Sequence, residues 1–255
     1  MLRLAVSLRP KRIVVGLGGS GTNDGGAGLL AALGATADIA LDAGGAHLSK
    51  LTQIDVGPAR AALSGIELIA ATDVDNPLLG LTGASKTFGP QKGADDNTVQ
   101  VLDAALEVFA TAVGRRPDGK DPAVALGAGA AGGLGYALLH LGAQRAPGIA
   151  TVLAATNFEA RVRASDLVVT GEGCFDWQSL RGKVVSGVAT VTMPTARPCI
   201  VIAGDVKVGR REYSALGISS AYPVADFAGS VQESMSDPVR WLQTASERVA
   251  RTWSR

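Results

Sequence analysis

Apolar residues along this chain alternate between short runs rich in β-branched residues and longer stretches with helical spacing. The short runs predict strands at residues 12–15, 66–71, 166–170, 200–203 and 218–222. The longer stretches predict helices at residues 26–33, 97–113, 132–141, 184–191 and 236–253. This alternation favours an α/β fold with a parallel-sheet βαβ architecture and helices on both faces.

Four regions depart from this simple alternation. Residues 2–8 have apolar side chains at every second position, which suits a strand as well as a partial helix. Residues 35–58 look like an excursion or small subdomain, and residues 115–122 like a surface loop. Residues 125–144 carry no formal charge and are about long enough to span a bilayer, but their weakly apolar first half favours a glycine loop that leads into a buried helix.

The composition narrows the class of partner. With 255 residues, of which 47% are hydrophobic and 18% charged, the chain can bury a sizeable core. A net charge of +1 gives no electrostatic basis for nucleic acid or a membrane surface as the main partner, so we expect a small-molecule ligand. Two cysteines, Cys174 and Cys199, and the lack of a secretory signal pattern predict a reducing, cytoplasmic setting. Nothing in the sequence indicates an oligomer.

The strongest chemical signal is the loop GLGGSGTNDGG, residues 16–26, which follows the first predicted strand and leads into a helix. Glycines let backbone N–H groups turn toward one point, and the start of a helix favours an anion there. The loop therefore predicts a phosphate site; the alternative is a tight βα turn in which Asp24 only caps the helix. The candidate cofactor-binding residues here are Gly18, Gly19, Ser20, Thr22, Asn23 and Asp24.

Two further candidates follow the next predicted strand. Asp73 and Asp75 lie two residues apart, so on an extended backbone both carboxylates can share one Mg²⁺ ion. The alternative is a turn or helix cap around Asn76 and Pro77. Lys92 lies between glycines and suits phosphate as a point charge, although a solvated loop lysine would have the same pattern.

A second dense cluster follows the strand at 166–170. Its carboxylates are Glu172 and Asp176, and its cations are Arg181 and Lys183. Asp176 could accept a hydroxyl proton while the cations stabilise a transferring phosphoryl group; an intraloop salt bridge is the alternative. The glycine-rich run at 127–133 offers either another backbone surface for a ligand or close helix packing.

Four segments together resemble the signature motifs of type I glycerate kinases, in order and spacing. They are GLGGSGTNDGGAGLLAALGA, TDVDNPLLGLTGASKTFGPQKGA, GAGAAGGLGYALL and TGEGCFDWQSLRGKVVSGVA. The resemblance covers nearly the whole of residues 1–255. It implies two α/β domains with an active-site cleft, and phosphorylation of D-glycerate, usually to 2-phosphoglycerate, with ATP and Mg²⁺. It also favours a helix over a strand at residues 2–8.

The resemblance suggests a role for each candidate. The glycine loop would hold nucleotide phosphates, with Glu172 and Arg181 as further cofactor-binding residues. Asp73 and Asp75 would place Mg²⁺. The catalytic residues would be Asp176, which orients the glycerate hydroxyl, and Lys92 and Lys183, which meet the transferring group.

The chain also departs from the family pattern. A preceding segment with Pro-Asp-Ser-Phe-Lys-like and Ala-Asp-Gly-Gly-Glu-Gly-like motifs is missing, so we expect the N-terminal portion to be truncated. Cys174 stands where relatives commonly have arginine. The alternative function is therefore a catalytically silent, nucleotide-binding remnant. A nicotinamide-dependent oxidoreductase is disfavoured, because residues 35–41 offer no convincing acidic residue for the ribose.

Overall fold

The computed structural model describes residues 1–180 and 182–254. The chain divides into two compact units, Met1–Gly148 and Ile149–Arg255, each built from parallel strands and helices. The α/β class expected from the hydrophobic pattern is confirmed. No helix within the described residues is both long and apolar enough to cross a membrane.

The first unit is built on a three-stranded parallel sheet. The strands of the whole unit are β1 (Arg12–Gly16), β2 (Thr36–Ala37), β3 (Ile54–Asp55), β4 (Glu67–Ala71) and β5 (Gln144–Ala146). Its helices are α1 (Leu2–Ser7), α2 (Ala27–Ala32), α3 (Gly57–Ala62), α4 (Ala84–Phe88), α5 (Asp96–Val113) and α6 (Ala130–His140), with 3₁₀ turns at Gly45–Lys50, Pro90–Lys92 and Pro122–Val124. The main sheet has the order β1-β4-β5, while β2 and β3 form a separate antiparallel pair.

The register of the main sheet decides which loops become neighbours. Gly16 pairs with Ala71, and Ala71 pairs with Ala146, so the three strands end side by side. The glycine loop after β1 and the acidic loop after β4 therefore leave the sheet at the same edge. In open parallel sheets, ligands bind at this carboxyl edge.

The core of the first unit is packed between α5, α6 and the sheet. Phe109 and Tyr136 are fully buried and meet edge to face with ring centroids 5.9 Å apart. Leu30 of α2 and Leu138 of α6 are also fully buried in this cluster. This packing holds α2, and with it the end of the glycine loop, against α6.

The glycine-rich run that leads into and begins α6 serves close packing. A Cβ on Gly132 would lie 1.9 Å from the carbonyl oxygen of Thr22, and one on Gly133 would lie 2.6 Å from the Cα of Gly25. Both glycines have positive φ. Of the two alternatives for residues 127–133, the structure supports packing at these positions, because the glycine loop itself occupies the space.

The second unit carries a parallel sheet of order β10-β8-β6 and a short parallel pair, β7 with β9. Its strands are β6 (Val168–Thr170), β7 (Cys174–Phe175), β8 (Cys199–Ala203), β9 (Asp205–Val206) and β10 (Ile218–Pro223). Its helices are α7 (Gly148–Ala155), whose first residue is the last of the first unit, α8 (Phe158–Arg163), α9 (Val184–Thr192), α10 (Arg210–Ala215), α11 (Val224–Ala228), α12 (Val231–Ser236) and α13 (Pro238–Trp253), with a 3₁₀ turn at Met193–Thr195. Its buried core includes Phe175, Val185 and Ile218.

Each strand and helix predicted from the hydrophobic pattern is present, with bounds shifted by a few residues. Residues 2–7 are helical, as the family resemblance favours. The predicted loop at residues 115–122 is present up to residue 121, where a 3₁₀ turn follows. Within residues 35–58 the chain forms β2, a 3₁₀ turn and β3. The pattern showed no sign of β5, because Gln144 and Arg145 are polar and the strand is only 3 residues long.

Candidate functional site

The glycine loop presents open backbone beside β1. A Cβ atom at Gly16, Gly18 or Gly21 would meet nothing within 4 Å among the described residues, and these glycines do not have positive φ. Neither packing nor backbone conformation requires glycine there. Bare backbone at such positions suits the close approach of a ligand.

The polar side chains of the loop have different environments. Asp24 accepts hydrogen bonds from the backbone N–H groups of Gly26 (3.0 Å) and Gly28 (3.3 Å), so its carboxylate anchors the start of α2. Asn23 is only 9% exposed, and its amide nitrogen donates to the hydroxyl of Ser85 at 2.8 Å. The capping role considered for Asp24 is therefore present, and Asn23 belongs to the packing beneath the loop.

Lys92 is brought onto the glycine loop from a segment distant in sequence. Its Nζ atom donates to Ser20 Oγ at 2.9 Å and to the carbonyl oxygen of Thr22 at 2.6 Å. Burial lowers the pKa of Lys92 from its ordinary value, although Asp24 opposes the shift. A cation beside open glycine backbone has the chemistry expected of a phosphate site.

A small cavity of about 210 Å³ lies at this place. Its lining includes Gly18, Gly19, Ser20 and Lys92, together with Val74 of the acidic loop. The cavity thus lies between the loop after β1 and two segments that follow β4, and four of the predicted site residues line it.

The acidic loop after β4 is tied to the end of β5. Asp73 accepts a hydrogen bond from the backbone N–H of Gly148 at 3.1 Å, and Asp75 forms an ion pair with Arg145. The Asp75 side chain is 70% exposed. Within the described residues, Asp73 has no such ion pair, so of the two carboxylates it is the better placed to attract a cation.

Arg145 is a charged residue at the sheet edge that sequence reasoning missed. It lies on β5, its side chain is 27% exposed, and its Nε atom is buried with no hydrogen-bond partner among the described residues. Its position two residues before Pro147, near the end of β5, could have drawn attention to Arg145, but only if β5 had been predicted first. No group of three or more His, Cys, Asp or Glu residues suited to a metal occurs in the part of the chain that the structure describes.

The loop after β6 carries the second cluster. The Oδ1 atom of Asp176 accepts from the backbone N–H groups of Gln178 (2.8 Å) and Ser179 (3.3 Å) and from the Ser179 hydroxyl (3.3 Å). Burial works to raise the pKa of Asp176, but these N–H donors and nearby Lys183 hold it below its ordinary value. Lys183 also donates to Gln178 Oε1 at 3.3 Å. The carboxylate is therefore ionised and fixed in orientation.

Glu172 lies at the start of the same loop. Its Oε1 atom is buried and has no hydrogen-bond partner among the described residues, while its carbonyl accepts from Gly204 N–H at 3.1 Å. An unpaired buried carboxylate oxygen is costly, which makes Glu172 a candidate contact for a ligand. Arg181 lies outside the described residues. Among the described residues of this loop no ion pair forms, so they give no support to the intraloop salt bridge considered as an alternative.

Comparison with known proteins gives the family. The model of the glycerate kinase family matches residues 1–254. An uncharacterised protein of Mycobacterium bovis is 41% identical over 249 residues, which cover 97% of this chain and 60% of the relative. The glycerate 2-kinase of Escherichia coli is 39% identical over 247 residues, covering 94% of this chain and 64% of that protein.

A solved structure has a similar fold. A crystal structure from Salmonella typhimurium LT2, described as a glycerate kinase 2, aligns with a TM-score of 0.72 at 35% identity, over 98% of this chain and 68% of that chain. The present chain thus spans 60% of the length of the mycobacterial relative. With a family match along nearly its whole length, the chain belongs to the glycerate kinase family.

Proposed function

We propose that the protein phosphorylates D-glycerate in an ATP- and Mg²⁺-dependent reaction, with 2-phosphoglycerate as the product, in the cytoplasm. The observation that carries the proposal is the Lys92 ammonium group held against the open glycine loop, within 2.9 Å of Ser20 Oγ. Support also comes from relatives named glycerate kinase and glycerate 2-kinase. When bound, ATP supplies the phosphoryl group, and Mg²⁺ neutralises part of its charge.

In the first unit, the proposed work is phosphate binding. When nucleotide is bound, the backbone of Gly18 and Gly19 would lie against the phosphate oxygens, and the Ser20 and Thr22 hydroxyls would donate to them. Lys92 already donates two hydrogen bonds at the loop, so it can exchange Ser20 Oγ for a phosphate oxygen with little movement. Its positive charge would then stabilise the negative charge of the transferring group.

Metal binding fits Asp73 better than Asp75. Mg²⁺ takes carboxylate oxygens and usually keeps several waters, so one or two protein carboxylates suffice. Asp75 is already neutralised by Arg145, whereas Asp73 contacts a neutral backbone amide. We therefore assign the larger share of Mg²⁺ affinity to Asp73.

In the second unit, Asp176 receives the acceptor hydroxyl. A carboxylate with a lowered pKa is ionised at neutral pH and can accept a hydrogen bond from the hydroxyl that attacks. Its orientation is fixed by two backbone N–H donors. Lys183 contributes positive charge beside it, and Glu172 has a buried oxygen in need of a partner.

A coupled assay for phosphoglycerate with purified protein tests this proposal. We expect turnover by the unaltered chain, and a loss of about 10²- to 10⁴-fold in kcat for Asp176→Asn, because the neutral amide cannot accept the hydroxyl proton. Asp226→Asn, on α11, is the matched control and should retain full activity. Equal turnover in Asp176→Asn and the unaltered chain would remove Asp176 from catalysis. Absence of glycerate-dependent turnover in the folded, unaltered chain would refute the proposed function.

A further inference from the structure

The short helix α4 is hydrogen-bonded to both candidate loops of the first unit. On one side, the Ser85 hydroxyl accepts from the Asn23 amide at 2.8 Å. On the other, Asn76 donates to the Thr87 hydroxyl at 3.2 Å and to the carbonyl oxygen of Thr82 at 2.7 Å. One helix thus connects the glycine loop with the loop that carries Asp73 and Asp75.

The same helix leads directly to Lys92. Gly89 N–H donates to the Ser85 carbonyl at 2.9 Å, and Lys92 N–H donates to the Gly89 carbonyl at 2.9 Å. The Lys92 ammonium group then reaches the carbonyl of Thr22, the neighbour of Asn23. These contacts close a ring that runs from Ser85 through Gly89 and Lys92 to the glycine loop, and back through Asn23.

We propose that Ser85 is a positioning residue that holds the glycine loop and Lys92 in their working geometry. Ser85 is fully buried, so it touches no ligand directly and acts through Asn23. This inference rests on the proposed function, because it assigns Ser85 to the phosphate site of that reaction.

The Asn23 amide makes the ring sensitive to Ser85. Asn23 is only 9% exposed, and its Oδ1 atom has no hydrogen-bond partner among the described residues. Removal of the Ser85 hydroxyl would leave the amide nitrogen unpaired as well. A buried amide without partners is unfavourable, so the loop should shift to bring it to water, and the contact between Lys92 and Thr22 should loosen.

The packing around Asn23 explains why a small change would be felt at the loop. A Cβ on Gly45 would lie 2.0 Å from the Asn23 carbonyl oxygen, and one on Gly132 would lie 2.9 Å from the Asn23 Cα atom. With backbone so close on two sides, Asn23 cannot turn its amide toward solvent without moving its own backbone.

The test compares the unaltered protein with Ser85→Ala in two measurements. The first is the rate at which an amine-reactive reagent labels Lys92, followed by mass spectrometry, without nucleotide. The second is the Kd for ATP by calorimetry. We expect Lys92 to be labelled about fivefold faster and the Kd for ATP to rise about tenfold in Ser85→Ala, which corresponds to the loss of one buried hydrogen bond. The KM for glycerate should change less than about twofold, since Ser85 contacts no acceptor group.

Two further variants make the test specific. Ser234→Ala, in the second unit, removes another buried serine, whose hydroxyl donates to the Val231 carbonyl at 2.8 Å, and should leave both measurements unchanged. Ser85→Cys keeps the shape and a weaker acceptor, so it should give intermediate values, and it serves if Ser85→Ala does not fold.

The outcomes separate this inference from the proposed function. Unchanged Lys92 labelling in folded Ser85→Ala or Ser85→Cys would overturn the role of Ser85. Failure of the unaltered chain to bind ATP would instead overturn the proposed function, and the labelling rate alone would then decide whether Ser85 positions Lys92.

Discussion

Replacement of Lys92 by methionine should remove most of the activity and little of the stability. Methionine keeps an unbranched apolar stem of similar length, so the cavity that Lys92 lines together with Phe88 and Gln91 should keep its shape. What is lost is the ammonium group and its hydrogen bonds to Ser20 Oγ and the Thr22 carbonyl.

The expected losses of activity and of stability differ in size because Lys92 contributes much to the reaction and little to the fold. Lys92 is only partly buried, and in the variant water can hydrogen-bond in part to the two oxygens that Lys92 had contacted. We therefore expect the free energy of unfolding to fall by at most about 1 kcal/mol. For a chain of this size that corresponds to a decrease of about 2–4 °C in Tm. Removal of a donor from charge that develops in a transition state typically costs about 10²- to 10³-fold in kcat.

Steady-state kinetics and thermal unfolding on the same preparations give both numbers. Lys86→Met on α4 is the matched control, since it removes a nearby lysine that has no hydrogen bond to the glycine loop among the described residues and should keep full activity. Because burial lowers the pKa of Lys92, kcat/KM of the unaltered protein should begin to fall on the basic side below the ordinary lysine value of 10.5. A kcat/KM for Lys92→Met within about threefold of the unaltered protein would refute the reasoning.

Three further predictions follow from the first unit. Gly18→Ala should raise the KM for ATP but leave Tm unchanged, because the new Cβ meets open space. Gly132→Ala should lower Tm sharply, because its Cβ would lie 1.9 Å from a carbonyl oxygen, and equal Tm values for the two variants would contradict the packing described above. Asp73→Asn should raise the Mg²⁺ concentration needed for half-maximal activity more than Asp75→Asn does, and the reverse order would move the metal assignment to Asp75. Burial lowers the pKa of His140 from 6.5 to about 4, so its contribution to stability is complete above pH 6.5 and is lost as the pH falls toward 4. Urea titrations should show that this group makes the protein up to about 2 kcal/mol less stable at pH 5 than at pH 7. An equal pH dependence in His140→Gln would exclude His140 as the source.

The sequence indicated which loops leave the first sheet at one edge better than it indicated the contacts that hold those loops in place. Parallel strands end at one edge of a sheet, so the loops after 12–15 and 66–71 could be expected to leave the sheet side by side, and they do. The approach of Lys92 to Ser20 was not implied by any local pattern, although a role in phosphate binding was expected from its glycine neighbours. Residue type and position after a strand therefore carried most of the prediction.

Contacts between distant residues could not be predicted. No sequence pattern near Asn23 indicates its hydrogen bond to Ser85, and none near Asp75 indicates its ion pair with Arg145, because each partner lies more than 60 residues away. The glycine pattern was also ambiguous, since glycine at residue 18 leaves a surface open and glycine at residue 132 fills a contact with neighbouring backbone. Only the three-dimensional packing separates these two uses.

The most direct test of the central claim is phosphorus-31 NMR of a reaction that contains the purified chain, ATP, Mg²⁺ and D-glycerate. The proposed function predicts that ATP resonances decline only when D-glycerate is present, and that a phosphomonoester resonance of 2-phosphoglycerate grows in equal amount. A folded protein that binds ATP but yields no phosphoglycerate would contradict the claim.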